Sequence, residues 1–96
     1  MYVVIFKATA RALDAAYSDM AARLRQTALD RFGCLEFEAV SENGREIALS
    51  YWESLDDVAR WKAHAEHLTA QRLGREAWYS AYSVEVARIE RSYRSD

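Results

Sequence analysis

The order of apolar and polar positions divides the chain into a short series of strands and helices. Tyr2 to Ala8 opens with Tyr2-Val3-Val4-Ile5-Phe6. The run does not alternate with polar residues, which predicts a strand covered on both faces. Tyr17, Met20, Ala21, Leu24 and Ala28 then recur at helical spacing, with Asp19, Arg23 and Arg25 between them. That is the pattern of an amphipathic helix. Its start falls between Thr9 and Asp14, and Gly33 closes it, because glycine takes the left-handed conformation of a helix terminus. Cys34 to Val40 has period two, with Leu35, Phe37 and Ala39 on one face and Glu36 and Glu38 on the other. It predicts a half-exposed strand. Asn43-Gly44 is the preferred pair for a tight hairpin, since both residues tolerate positive φ. Glu46 to Trp52 is the returning strand, with Ile47, Leu49 and Tyr51 set against Ala48, Ser50 and Trp52.

Ser54 is placed to cap a second helix, with Asp57 three residues on in a shorter variant of the capping box. That helix buries Val58, Trp61, Ala65 and Leu68. Its continuity beyond His64 is open. An unbroken helix sets His64 beside the apolar face and His67 toward solvent, whereas a break near Ala65-Glu66 re-aims His67. Gly74 closes the helical region. Trp78 to Ile89 is the last strand, with Tyr82, Val84 and Val86 on one face. Ile89 has changed phase, which predicts a bulge near Ala87-Arg88. Alternation puts Tyr79 and Tyr82 on opposite sides, so that at most one reaches a given pocket.

Strand, helix, strand, strand, helix, strand with right-handed crossovers gives an α+β, ferredoxin-like fold: a four-stranded antiparallel sheet with both helices on one face. The uncovered face of so apolar a sheet predicts a homodimer closed by a two-fold axis.

Composition narrows the function more than the fold. The chain has 96 residues, which predicts a single domain over 1–96. Net charge is −2 with both signs interspersed, so nothing marks a nucleic-acid surface. The run from Arg88 to Arg94 is broken by Glu90 and reads as a solvated strand edge. Three Trp, six Tyr and three Phe point to a partner surface or an aromatic pocket. The lone Cys34 excludes an internal disulfide and reads as a buried structural thiol. Neither a signal-peptide pattern nor an apolar run of membrane-spanning length is present, so the expectation is a cytoplasmic protein without a membrane partner. No Ser-His-Asp pattern, phosphate-cradling glycine loop or Cys/His metal spacing occurs, and no metal or cofactor is expected.

Tyr51-Trp52-Glu53-Ser54, then Trp61, His64 to His67, Ala70-Gln71, Gly74-Arg75 and Trp78-Tyr79…Tyr82…Val86…Arg91 resemble the antibiotic biosynthesis monooxygenase family. The resemblance covers roughly the second half of the chain in residues and all of it in topology. It implies a dimeric α+β barrel, in which two ferredoxin-like sheets pack together. The family includes cofactor-free quinone-forming monooxygenases, haem-degrading enzymes and isomerases. In the quinone-forming branch, Trp52 matches a third-strand Trp and Arg72 falls near an Arg. The corresponding Asn and Tyr positions are Ala48 and Val58. In the haem-degrading branch, Trp61 matches a helical Trp, the His ligand position falls on Gln71, and the first strand lacks the branch's Asn. His67 matches a His that follows a break in the second helix of the wider family, which favours the broken-helix reading.

Each candidate has a plainer alternative. Trp52 either lines a pocket and stacks on a planar aromatic substrate or anchors the core. Trp61 lies on the buried stripe, where core packing is the simpler account. His67 is the acid–base candidate, because its ordinary pKa lies near neutrality. His64 reads as a helix-end or surface residue. Arg72 either stabilises a developing phenolate or forms a salt bridge. The resulting expectation is a small cofactor-independent oxygenase of a phenol or quinol, with Trp52, Trp61, Tyr79 and Tyr82 binding substrate, His67 as base and Arg72 as charge stabiliser. The alternatives are a dimeric protein that binds a small aromatic metabolite or haem without turnover, and an isomerase.

Overall fold

A computed structural model of the chain describes residues 1–10, 15–72 and 79–95, with the backbone alone at 16 and 67–72. The elements are β1 (Tyr2–Ala10), α1 (Ala15–Arg31), β2 (Glu36–Glu42), β3 (Arg45–Trp52), α2 (Leu55–Arg72) and β4 (Tyr79–Arg88). The strands form one sheet in the order β2-β3-β1-β4, with every neighbouring pair antiparallel. This is the expected ferredoxin-like α+β architecture.

The local signals act as their chemistry predicts. Asn43 and Gly44 have φ of 52° and 77°, the positive pair that matches hairpin twist. The Gly44 carbonyl also accepts from the Ala10 N–H at 2.8 Å, tying the hairpin to the end of β1. Ser54 Oγ accepts from the Asp57 N–H at 3.1 Å and so caps α2. The Asp57 carboxylate is engaged by Arg60. Gly33 has φ of 79° just past α1, and the Cys34 N–H donates to the Ala28 carbonyl at 3.1 Å. A Cβ at Gly33 would sit 3.1 Å from Asp57 Oδ2 as well as forcing a strained φ. Gly33→Ala is therefore expected to lose about 1–2 kcal/mol in urea denaturation. A loss within error would mean that the turn relaxes freely.

The structure corrects the expectations for α2 and β4. α2 runs without interruption from Leu55 to Arg72, with no break near Ala65-Glu66. Ala63 and Ala65 are strong helix formers, and Lys62 pairs with Glu66 one turn on at 3.7 Å. The side chain of Leu68, the Gly74 terminus and Trp78 lie outside the described residues. In β4, pairing with β1 is regular from Arg88 back to Ala81, so there is no bulge at Ala87-Arg88. The strand ends there instead, and the Ile89 N–H reaches the Met1 carbonyl at 3.0 Å. The shift lies at the other end, where Thr9 pairs with Ala81 and Ala10 with Tyr79, leaving Ser80 as the extra residue.

The core lies between α2, the end of α1 and the helix-facing side of β1–β3. Ala28, Cys34, Trp52, Val58 and Trp61 are buried together, with Val4, Leu24, Phe32 and Phe37 packed on them. A second cluster joins Tyr17 and Met20 of α1 to Tyr79 of β4. The register fixes the other side of the sheet. Residues paired across an antiparallel ladder share a face, so Val3, Ile5, Val40, Ile47, Leu49 and Tyr51 line the side away from the helices. Val40 is 69% exposed and Ile47 40%.

Candidate functional site

The Ser80 bulge decides what the helix-facing side of β4 presents. Tyr82 is opposite Ala8 and Tyr79 is opposite Ala10, and Ala8 and Ala10 share a face. The two tyrosines therefore lie on the same side, correcting the expectation that alternation separates them. Their ring centroids are 6.0 Å apart, and both rings contact Phe6, at 5.5 Å for Tyr79 and 6.1 Å for Tyr82. The outcome is an aromatic wall, with Tyr82 open to solvent and Tyr79 further in.

At the inner end of this wall stands a polar cluster that the hydropathy pattern did not reveal. Tyr17 of α1 meets Tyr79 edge to face at 5.9 Å, with the hydroxyls 3.5 Å apart. The Tyr17 hydroxyl donates to the Glu46 carboxylate. Glu46 is opposite Ala8, so it projects from β3 to the helix-facing side. In the sequence, Glu46 is the first residue of the returning strand and Tyr17 a helix-face position. The one available signal was that Glu46 falls on the inward phase of the Ala48-Ser50-Trp52 alternation.

Burial holds the Glu46 carboxyl above its ordinary 4.5. Burial, and then the nearby Glu46 charge, hold the Tyr79 phenol above its ordinary value, so it stays protonated at neutral pH. A carboxyl with a raised folded pKa contributes stability that is complete below 4.5 and is lost as pH rises through the folded value. Glu46→Gln keeps an acceptor for Tyr17 and removes the titration. Its melting temperature relative to the unsubstituted protein is therefore expected to rise between acidic and neutral pH. A constant difference across that range would mean that Glu46 titrates normally.

The tryptophans lie deeper. Trp52 is fully enclosed and its indole N–H donates to Ser50 Oγ at 2.8 Å. Trp61 stacks on it at 6.2 Å and also meets Phe32 at 5.7 Å. His64 rests on Phe32 at 5.0 Å and Trp61 at 6.1 Å, as the flank of the apolar face. Cys34 is buried, its Sγ 3.2 Å from the Glu36 carbonyl, and burial pushes the thiol pKa up, as for a structural thiol. His67 and Arg72 belong to the last turns of α2, but their side chains lie outside the described residues. Among the described residues, no three His, Cys, Asp or Glu stand close enough to hold a metal. None of the described helices is long and apolar enough to cross a membrane. In sum, the structure brings Tyr79 and Tyr82 together with Phe6, Tyr17 and Glu46, while Trp52 and Trp61 belong to the other buried cluster, toward the opposite end of β3 from Glu46.

No family model matches the sequence. The chain is 41% identical over 91 residues to YqjZ, an uncharacterized protein of Bacillus subtilis, covering 94% of this chain and 80% of YqjZ. It is 29% identical over 62 residues to the jasmonate monooxygenase ABM of Pyricularia oryzae, spanning 65% of this chain and 29% of that protein. In fold it matches SnoaB, a cofactor-independent oxygenase of Streptomyces nogalater, with a TM-score of 0.75 at 14% identity, covering 98% of this chain and 97% of SnoaB. It also matches a Deinococcus radiodurans protein assigned to the antibiotic biosynthesis monooxygenases, with a TM-score of 0.74 at 12% identity, covering 100% and 99% of the two chains. The chain belongs to one family with Bacillus subtilis YqjZ, built on the fold of the antibiotic biosynthesis monooxygenases.

Proposed function

We propose that this protein is a homodimeric, cofactor-independent monooxygenase of an electron-rich phenol or quinol. The observation that carries the reading is the aromatic wall of Phe6, Tyr79 and Tyr82 ending on the Tyr17–Glu46 pair, in a fold shared with a cofactor-independent oxygenase. The wall supplies a flat apolar surface for an aromatic ring, and the polar end supplies orientation. The substrate loses two hydrogens, one from a ring carbon and one from its hydroxyl, and that carbon gains one oxygen atom while the second oxygen atom leaves as water. The electrons come from the substrate anion itself, so no external reductant enters. The protein must take a proton, exclude water and stabilise negative charge as it develops. His67 is assigned the base and Arg72 the charge, while Trp52 and Trp61, in the core cluster toward the other end of β3, fix the packing of α2 on the sheet. Oxygen uptake on a panel of phenols and hydroquinones tests this. Uptake that falls about 100-fold or more in His67→Ala supports it, in keeping with general-base catalysis. Uptake indifferent to that change removes His67 from the mechanism.

The dimer rests on surface. The chain exposes 6712 Å², whereas a compact monomer of 11.1 kDa exposes about 5,700 Å². The surplus is close to one partner's share of a standard interface. The apolar side away from the helices is the natural place for a second copy.

A second reading is a dimeric protein that binds a small aromatic metabolite without turnover. It is favoured by Ala48 and by Val58, which is 6% exposed in the core, at positions where the quinone-forming branch has Asn and Tyr. It predicts a ligand-induced rise in melting temperature with no product. An isomerase would instead show turnover that needs His67 but no oxygen.

A further inference from the structure

We propose that Glu46, held by Tyr17, is the residue that selects ligands carrying a ring hydroxyl, accepting a hydrogen bond from it at the inner end of the β4 wall. The proposal deepens the phenol reading above and rests on it for the class of ligand alone. It needs no turnover, so it stands equally for an oxygenase and for a binding protein.

Four observations converge. Glu46 is a partly buried carboxylate on the helix-facing side of the sheet, and among the described residues it forms no ion pair. A carboxylate in that setting is costly unless its acceptor sites are used. Tyr17 donates to one of them, and an ionised carboxylate has room for further donors. Second, the groups facing it are matched to a phenol. Tyr17 comes from α1 and Tyr79 from β4, while Ala8, Ser41 and Ala48 are the sheet residues beside it. No described cation enters this cluster to compete for the carboxylate.

Third, the described side chains along the approach are aromatic. Tyr82 is 43% exposed and stacks on Phe6, and Phe6 meets Tyr79, which meets Tyr17. A planar ring sliding inward along these faces stays in aromatic contact until its edge meets the carboxylate. Fourth, the path depends on a specific irregularity. In a regular ladder Ser80 would pair with Ala10, Tyr79 would project from the opposite side of β4 and the wall would end at Tyr82. Bulges that re-aim a side chain in this way are frequent beside functional sites. Ser80 Oγ donates to the Thr9 carbonyl at 3.2 Å, which helps to hold the bulge in register.

The test is a matched ligand pair, naphthol and its methyl ether, titrated against the full chain and followed by calorimetry. The ether keeps the ring and loses the donor. The unsubstituted protein is expected to prefer naphthol by about tenfold or more, the value of one hydrogen bond to a charged acceptor. Glu46→Gln is expected to reduce that preference to about threefold or less while leaving affinity for the ether unchanged. Tyr17→Phe, which frees the carboxylate from its anchor, is expected to weaken the preference without abolishing it, and it serves if Glu46→Gln does not fold. A folded Glu46→Gln protein that keeps the whole preference overturns the proposal. So does a protein that binds naphthol and its ether equally, or neither. Naphthol selectivity without oxygen uptake would remove the oxygenase reading and leave this assignment in place.

Discussion

Trp52→Ala is expected to destabilise the domain by about 3–5 kcal/mol, the usual cost of emptying a buried aromatic site. Trp52 has no exposed surface. Its ring is sandwiched against Trp61, and its indole N–H is satisfied by Ser50. Alanine would leave a cavity between β3 and α2 and strand the buried Ser50 hydroxyl without its donor. Against a domain stability of about 5–15 kcal/mol, that loss is a large share of the whole. Urea denaturation of Trp52→Ala and Trp52→Phe measures it, and the phenylalanine variant is expected to lose distinctly less. A loss below about 1 kcal/mol for Trp52→Ala would identify the ring as a pocket wall with freedom to move, not a core anchor.

Ile47→Glu is expected to convert the proposed homodimer to monomer. Ile47 is 40% exposed in the single chain and lies on the side of the sheet away from the helices. Lys7 is its partner across the ladder, so a carboxylate at position 47 meets a cation within its own chain and costs the monomer little. In a two-fold interface the same substitution appears twice and buries two charges where two isoleucines stood. A rise in the dimer dissociation constant of roughly 100-fold or more follows, an energy of about 3 kcal/mol. Sedimentation equilibrium of the two proteins reads it directly. An unchanged dimer mass would place the second copy elsewhere, with the exposed helix-facing stripe of Tyr82, Val84 and Val86 the next surface to substitute.

What the sequence made legible was whatever depends on a few neighbouring residues. Asn43-Gly44, the Ser54 cap and the glycine after α1 each encode their own backbone geometry, and each is found in place. The apolar alternation of β3 located Trp52 and Ser50 on one side and Ile47 and Leu49 on the other. The bulge at Ser80 was not legible, because nothing in Tyr79-Ser80-Ala81-Tyr82 distinguishes a regular strand from one with an extra residue. Register with Thr9 and Ala10, some seventy positions earlier, sets it. That single residue decides whether Tyr79 and Tyr82 face one pocket or two. Glu46 was missed for the opposite reason. A charged residue at a strand start reads as solvent-exposed by default, and only its pairing with Ala8 and its contact with Tyr17 turn it inward. The broken second helix came from family resemblance, and strong helix formers around Ala65 outweighed it.

The proposed reaction is oxygenation of a phenolic ring by this protein with the ring's own electrons. Isotopically labelled dioxygen, supplied to metal-stripped protein and a phenol or hydroquinone that it binds, tests that most directly by mass spectrometry of product and water. The expected result is a quinone-type product carrying one labelled oxygen atom, with the other in water, at undiminished rate without metal, flavin or haem. A product free of label, or turnover that returns only when a metal or cofactor is restored, would contradict it.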